Sequence, residues 1–292
     1  MVEPVQQFYE SQRLRLSYWT WGDDGKPPML LVHGNRDHAR SWDEIANAFC
    51  DQYRVVAIDL RGHGDSEWSK GSLYGLPEYV LDILGLIDVL GGKVTLVCHS
   101  MGGRASLIAA GAFPERFHKI VGIEATGQLR TELPRGPERI RTWAERAKAR
   151  EGSEARVYPT LGDAAARVQE ANPRFSAPAA EHFARWATRE VEGGYVWKYD
   201  PALQNNPDLE VPYSEYELFY ANLNVPILHV LSSEGEAARG YRHGRPIASF
   251  FPDARSVNAP DSGHWIHIDQ PAFVIDAMRD FLGNPPAAPR VD

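Results

Sequence analysis

The run Val94-Thr95-Leu96-Val97-Cys98-His99-Ser100-Met101-Gly102-Gly103 decides how this chain is read. Its first four residues form a short apolar run with little alternation, the pattern of a strand buried on both faces. The small residues after the serine predict a sharp turn into a helix packed closely on that strand. A serine in such a turn is exposed and aimed, and the N–H groups of a helix N-terminus lie beside its hydroxyl. Cys98 stands where the usual G-x-S-x-G pattern has its first glycine. It is expected to pack as a small buried hydrophobe with no part in chemistry.

Outward from this turn, further apolar runs read as buried strands: Met29–Val32, Val55–Ile58, Ile120–Ile123 and Ile227–Leu231. Amphipathic stretches between them (Ser41–Tyr53, Pro77–Leu90, Met101–Phe113) read as helices. Strand and helix in alternation predict an α/β fold with a mostly parallel, doubly wound sheet. Arg13–Thr20 alternates at period two and predicts an antiparallel edge hairpin with the residues before it. The rhythm breaks between Thr126 and Asn224. Helical stretches there, at Pro137–Arg150, Asp163–Ala171 and Pro178–Glu190, predict a small helical insertion, since a structureless loop of that length is improbable. Part of its aromatic content is expected to line a pocket and part to form its own core. The expected division is a core of 1–127 and 225–284, an insertion of 128–224, and a proline-rich, disordered tail of 285–292.

Bulk composition narrows the function classes. The 292 residues carry a formal charge of −8, and the pI is near 5.7. Both disfavour a basic surface for nucleic acid or anionic membrane. No apolar run approaches the about 20 residues that span a bilayer. The first residues lack the basic and apolar regions of a signal peptide, so a cytoplasmic location is expected. Cys50 and Cys98 are too few for a disulfide framework or zinc cluster and read as buried free thiols. Neither a metal nor an organic cofactor is expected.

Three other segments fall where a serine nucleophile needs support. His33-Gly34-Asn35 follows the first buried strand, and its backbone can join the N–H of Met101 in holding an oxyanion. Asp261-Ser262-Gly263-His264-Trp265 offers His264 as general base. Asp59-Leu60-Arg61-Gly62-His63-Gly64-Asp65-Ser66 reads as a supporting loop. Among the other histidines, His33 and His63 are expected in structural hydrogen bonds and His229 as a satisfied core residue. His99 is expected to pack, His38 to stabilise its loop and His267 to point away from the site.

Taken in order, His33-Gly34, Trp42, Asp59-x-Arg61-Gly62-His63-Gly64-x-Ser66, His99-Ser100-Met101-Gly102-Gly103 and Gly263-His264-Trp265 resemble the α/β-hydrolase superfamily over nearly the whole chain. The resemblance implies a sheet of the α/β-hydrolase type, with the 128–224 insertion as a helical cap. It also implies a triad of Ser100, His264 and an acid, with Asn35 and Met101 as the oxyanion hole. The superfamily's usual acid position falls on Gly235, which has no carboxylate. Neighbouring Glu234 and Glu236 are alternatives. Glu124, after Ile123, resembles the acid placement of the haloalkane dehalogenase subset and is taken first. Dehalogenases and epoxide hydrolases use a carboxylate nucleophile, whereas this chain has Ser100 there. The expected activity is hydrolysis of a carboxylic ester of a small or medium-sized molecule. Lactone, thioester and carbon–carbon hydrolysis use the same groups, and a non-catalytic binding protein is the other class. The expected partner is the small-molecule substrate, with the chain a monomer or homodimer.

Overall fold

In the computed structural model, residues 2–71, 74–125, 136–150, 155–205, 213–233, 241–242, 245–246, 251 and 254–286 are described. Eight strands form one sheet: β1 (Val5–Ser11), β2 (Leu14–Trp21), β3 (Pro28–Val32), β4 (Arg54–Ile58), β5 (Val94–His99), β6 (Phe117–Ile123), β9 (Ile227–Ser232) and β12 (Ala254–Ala259). The two small pairs are β7 (Thr188–Val191) with β8 (Gly194–Trp197), and β10 (Tyr241–Arg242) with β11 (Arg245–Pro246). The large sheet runs β1-β2-β4-β3-β5-β6-β9-β12. Its last six members are mutually parallel, and β1 and β2 form the expected antiparallel hairpin at one edge.

β3 and β5 are buried along their whole length, which explains why their sequences show no alternation. Helices cover both faces. On one side lie α2 (Leu76–Val89), α3 (Ser100–Ala112) and α7 (Tyr213–Ala221). They contribute Tyr79, Ile83, Leu86, Ile108, Tyr216 and Tyr220 to the core. On the other lie α1 (Asp43–Phe49) and α9 (Pro271–Leu282), which contribute Ile45, Phe49, Val274 and Met278. From β3 the chain steps outward to β4, then returns past β3 to β5. The strand order therefore reverses between β3 and β5. The crevice beyond the carboxyl ends of such a reversal is where α/β sheets bind ligands.

The segment between β6 and β9 contains α4 (Pro137–Arg150), α5 (Leu161–Ala171), α6 (Ala177–Ala187), the β7–β8 hairpin and α7. Thr160 caps α5 through a reciprocal box with Asp163, and Ser176 caps α6 by accepting from the Ala179 N–H. The helix expected over Pro178–Glu190 stops earlier, at Ala187. Thr188 begins β7, whose partner β8 is reached through a turn with Gly193 at φ +85°. Local helical preference yields there to strand pairing. The segment's aromatics divide between two cores. Phe175 and Phe183 belong to its own cluster, whereas Tyr216 and Tyr220 join the main one. α6 is also fastened to the body. His182 Nε2 lies 3.0 Å from the Arg40 carbonyl and 3.4 Å from Asp43 Oδ2, and the Arg40 guanidinium sits 3.8 Å over Trp186 and 4.7 Å over Trp19. The Asp43 carboxylate raises the His182 pKa.

His229 departs from expectation. It is buried in β9 beside Phe251, yet neither ring nitrogen has a hydrogen-bond partner among the described residues. Burial lowers its pKa to about 4. Most of the expected disordered tail, 287–292, lies outside the described residues. No described helix is long and apolar enough to cross a membrane.

One buried ion pair ties the edge hairpin, the loop after β4 and α2 together. Arg61 Nε and Nη2 donate to Asp82 at 2.8 and 2.6 Å, and Ser11 Oγ donates to the same carboxylate at 3.1 Å. Asp82 is fully buried. Asp82→Ala strands the guanidinium in the interior and is expected to cost about 3–5 kcal/mol in urea unfolding.

Candidate active site

Ser100 is the first residue of α3 and directly follows β5, with φ +52°. Among the described residues six non-glycines have positive φ: Gln12 and Arg13 turn the β1–β2 hairpin, and the other four follow strands of the parallel part of the sheet. These are Arg36 after β3, Ser100 after β5, Glu124 after β6 and Asp261 after β12. Each such residue costs of order 1–3 kcal/mol and persists where surrounding structure holds it. The strain is thus gathered at the carboxyl edge of the sheet.

Close packing holds the turn. A Cβ on Gly102 would lie 2.0 Å from the His33 carbonyl oxygen, so α3 can approach the loop after β3 only with glycine there. A Cβ on Gly34 would meet His99 Nδ1 at 2.8 Å and Ser100 Cβ at 3.2 Å. The Gly34–Asn35 peptide therefore lies against Ser100. Met101 is in the first turn of α3, where an N–H has no acceptor within its own helix. Asn35 is exposed and Met101 is buried. Cys98 is fully buried and points its thiol at the Val121 carbonyl, 3.6 Å away. Burial pushes its pKa up to about 12, so it is an inert packing thiol.

His264 comes from the loop after β12. Its Nε2 lies 2.8 Å from Ser100 Oγ, and its Nδ1 lies 3.6 Å from Glu124 Oε2. Glu124 is buried, and its other oxygen accepts from the Ser232 N–H at 2.7 Å. Ser232 closes β9, the strand that carries the acid in most of the superfamily as read from sequence. The structure thus brings Ser100, His264 and Glu124 together. Glu234 and Glu236 lie outside the described residues.

The supporting contacts were not legible in the sequence. His99, read as packing, donates from Nε2 to the His264 carbonyl at 2.9 Å. His267, expected to point away, is buried with its ring 4.7 Å from that of His99 and stacked on Trp42 at 4.3 Å. The turn after His264 folds this histidine back beneath the site, and strand-like alternation misses it. His38 is buried, with Nε2 3.1 Å from the Phe183 carbonyl of α6. His33 meets its expected structural role, with Nδ1 on the Gly34 carbonyl and Nε2 accepting from the Leu60 N–H. Trp265, the residue after His264, packs edge-on against Phe175 and Phe183 of the β6–β9 segment. Desolvation sets the titration of these groups. It holds His99 well below the usual imidazole value and His38 and His267 down to about 3, and it pushes Asp37 up to about 7.

The alpha/beta hydrolase family model matches residues 29–277. The chain belongs to that family. A serine hydrolase-like protein of Danio rerio is 26% identical over 274 residues, covering 90% of this chain and 83% of that protein. The 3-hydroxybutyrate-oligomer hydrolase of Cupriavidus necator is 27% identical over 295 residues, covering 92% and 93%. Epoxide hydrolase 4 of Mus musculus is 38% identical over 112 residues, a match that spans 38% of this chain and 31% of that protein. Among solved structures, a thioesterase domain from a curacin biosynthetic pathway superposes with a TM-score of 0.82 at 23% identity, over 94% of this chain and 98% of that one. The names of these proteins span several kinds of hydrolase.

The strain at Ser100 has a measurable signature. Glycine tolerates φ +52° and alanine does not, so Ser100→Gly is expected to be more stable than Ser100→Ala by about 1 kcal/mol in urea unfolding. Equal stabilities would mean the turn is unstrained.

Proposed function

We propose that this protein is a serine hydrolase acting on a carboxylic ester of a small or medium-sized molecule through an acyl-enzyme. The observation that carries the reading is the 2.8 Å approach of His264 Nε2 to Ser100 Oγ, with Glu124 behind the imidazole. In this reading Ser100 Oγ gives its proton to His264 Nε2 and attacks the ester carbonyl carbon. The N–H groups of Asn35 and Met101 hold the oxyanion. His264 passes the proton to the departing alkoxide, and the ester C–O bond breaks. It then takes a proton from water, whose hydroxide attacks the acyl carbon. Collapse releases the carboxylic acid and returns the proton to Ser100. Glu124 holds the imidazole in the productive tautomer and offsets its transient charge. Within the 128–224 insertion, α5 and α6 act as a cap that shapes the substrate cleft, while α7 belongs to the sheet's own helical layer.

Ester chemistry is supported by the nucleophile. Serine opening an epoxide or displacing a halide would leave an alkyl ether that this machinery has no means to hydrolyse, whereas acyl transfer to serine is reversible by water. The likeness to the 3-hydroxybutyrate-oligomer hydrolase, named for an oligomer of a hydroxy acid, supports the same class. Thioester hydrolysis, supported by the structural likeness to a thioesterase domain, runs through the same acyl-enzyme. The reaction proposed needs no cofactor.

A fluorophosphonate probe is expected to label Ser100 and to leave Ser100→Ala unlabelled; a folded protein that never labels would sink the proposal. Ser100→Ala and His264→Ala should each lower kcat on p-nitrophenyl esters by roughly 10⁴-fold or more. Glu124→Gln should lower it further than Glu234→Gln, and the reverse order would move the acid to the loop after β9.

A further inference from the structure

Beneath the serine and histidine lies a second, buried set of polar groups that the proposed hydrolysis does not use. Asp37, His99 and His267 are each at most 2% exposed, and one ligating atom from each lies within 4.8 Å of the others. All three carry an atom without a hydrogen-bond partner among the described residues: Asp37 Oδ2, His99 Nδ1, and both ring nitrogens of His267. Buried polar atoms are nearly always paired, so a cluster of three buried residues that each keep an unpaired atom calls for something that binds them.

Their surroundings select what that is. His99 Nε2 faces a carbonyl oxygen, which only accepts, so Nε2 carries the ring proton. Nδ1 is then a bare lone pair that needs no deprotonation before it ligates. A metal-bound histidine ordinarily donates its other N–H to a carbonyl or carboxylate, which fixes its tautomer. His99 already does so. The ligating carboxylate is ordinarily hydrogen-bonded as well, and Asp37 Oδ1 accepts from the His38 N–H at 2.7 Å. Trp42 stacks on His267 and holds its ring in plane.

We propose that Asp37, His99 and His267 form a binding site for a divalent transition-metal ion. Two imidazole nitrogens and one carboxylate oxygen suit Zn²⁺, Co²⁺, Ni²⁺ or Cu²⁺ and are a poor match for Mg²⁺ or Ca²⁺, which prefer all-oxygen shells. Ligand atoms on a tetrahedral ion with bonds near 2.1 Å stand about 3.4 Å apart, so side chains whose atoms stand up to 4.8 Å apart close in on loading. Asn35 and Arg36, next to Asp37 in the chain, are exposed, so the loop that carries Asp37 reaches solvent within one residue of it.

The ion would join three segments at one point: the loop after β3 through Asp37, the end of β5 through His99, and the stretch after β12 through His267 of the short helix α8 (Ile266–Asp269). These segments also carry Asn35, Ser100 and His264. Loading therefore acts on turnover. A dication beside His264 opposes the positive charge its imidazole takes up when Ser100 gives up its proton, so the metal inhibits. That effect rests on the proposed serine mechanism; the site itself does not.

Co²⁺ separates the two. Titrated into the metal-free protein, it is expected to give the intense visible d–d absorption of four-coordinate cobalt, saturating at one equivalent, and Zn²⁺ should displace it. His267→Phe keeps the stack on Trp42 and removes the nitrogen, so it should weaken binding by more than about 100-fold. Asp37→Asn, a smaller change, should weaken it as well. Ser100→Ala should bind Co²⁺ as the parent does, so the spectrum reads the site whether or not the protein is a serine hydrolase. Absent four-coordinate absorption, or absorption that survives both substitutions in folded protein, overturns the site. Four-coordinate binding without loss of esterase turnover overturns the inhibition alone.

Discussion

A chain that leaves a buried parallel strand and enters a helix within one residue must pass through a conformation that L-residues avoid, and Ser100 does so at φ +52°. The turn survives because its neighbours give it no other place to go. The His33 carbonyl fills the space a side chain at 102 would need, and Gly34 lies against Ser100 itself. Packing thus fixes where the hydroxyl points, and the histidine needs only to arrive. Arg36, Glu124 and Asp261 repeat the device at the neighbouring loops. Stability supplied by the two-sided core is what sustains four unfavourable backbone conformations along one edge.

Much of this was legible because it rests on local pattern. The continuous apolar runs of β3, β4, β5, β6 and β9 are what burial on both faces demands. Glycines at 34, 102 and 103 announce close approach before any contact is seen. What could not be read was long-range. β12 is largely exposed and shows no hydrophobic run. The hairpin after Ala187 overrides a helical pattern by pairing with residues beyond its turn. The orientation of His99 toward the His264 carbonyl depends on a loop 165 residues away, and no spacing rule encodes it.

The acid is the instructive case. Gly235 stands where most of the superfamily has its carboxylate, so sequence left three glutamates in contention. Glu124 lies on the neighbouring strand and faces His264, while the Ser232 N–H at the end of β9 donates to its other oxygen. The ends of two strands divide the work: the residue after β6 presents the carboxylate, and the last residue of β9 contributes a hydrogen bond that orients it. A buried carboxylate without such a donor would carry a heavy desolvation cost.

The fastening of α6 to the body has its own consequence. Arg40 lies between Trp19 and Trp186, His182 rests on the Arg40 carbonyl, and His38 reaches the Phe183 carbonyl. Residues 38 and 40 continue the same short loop that carries Asn35. In the proposed function, the α6 roof and the floor that would receive the oxyanion are therefore one mechanical part. A bulky substrate that levers α6 outward also tugs the floor out of register. Size discrimination in such a molecule would appear in the rate of the chemical step as much as in the tightness of binding.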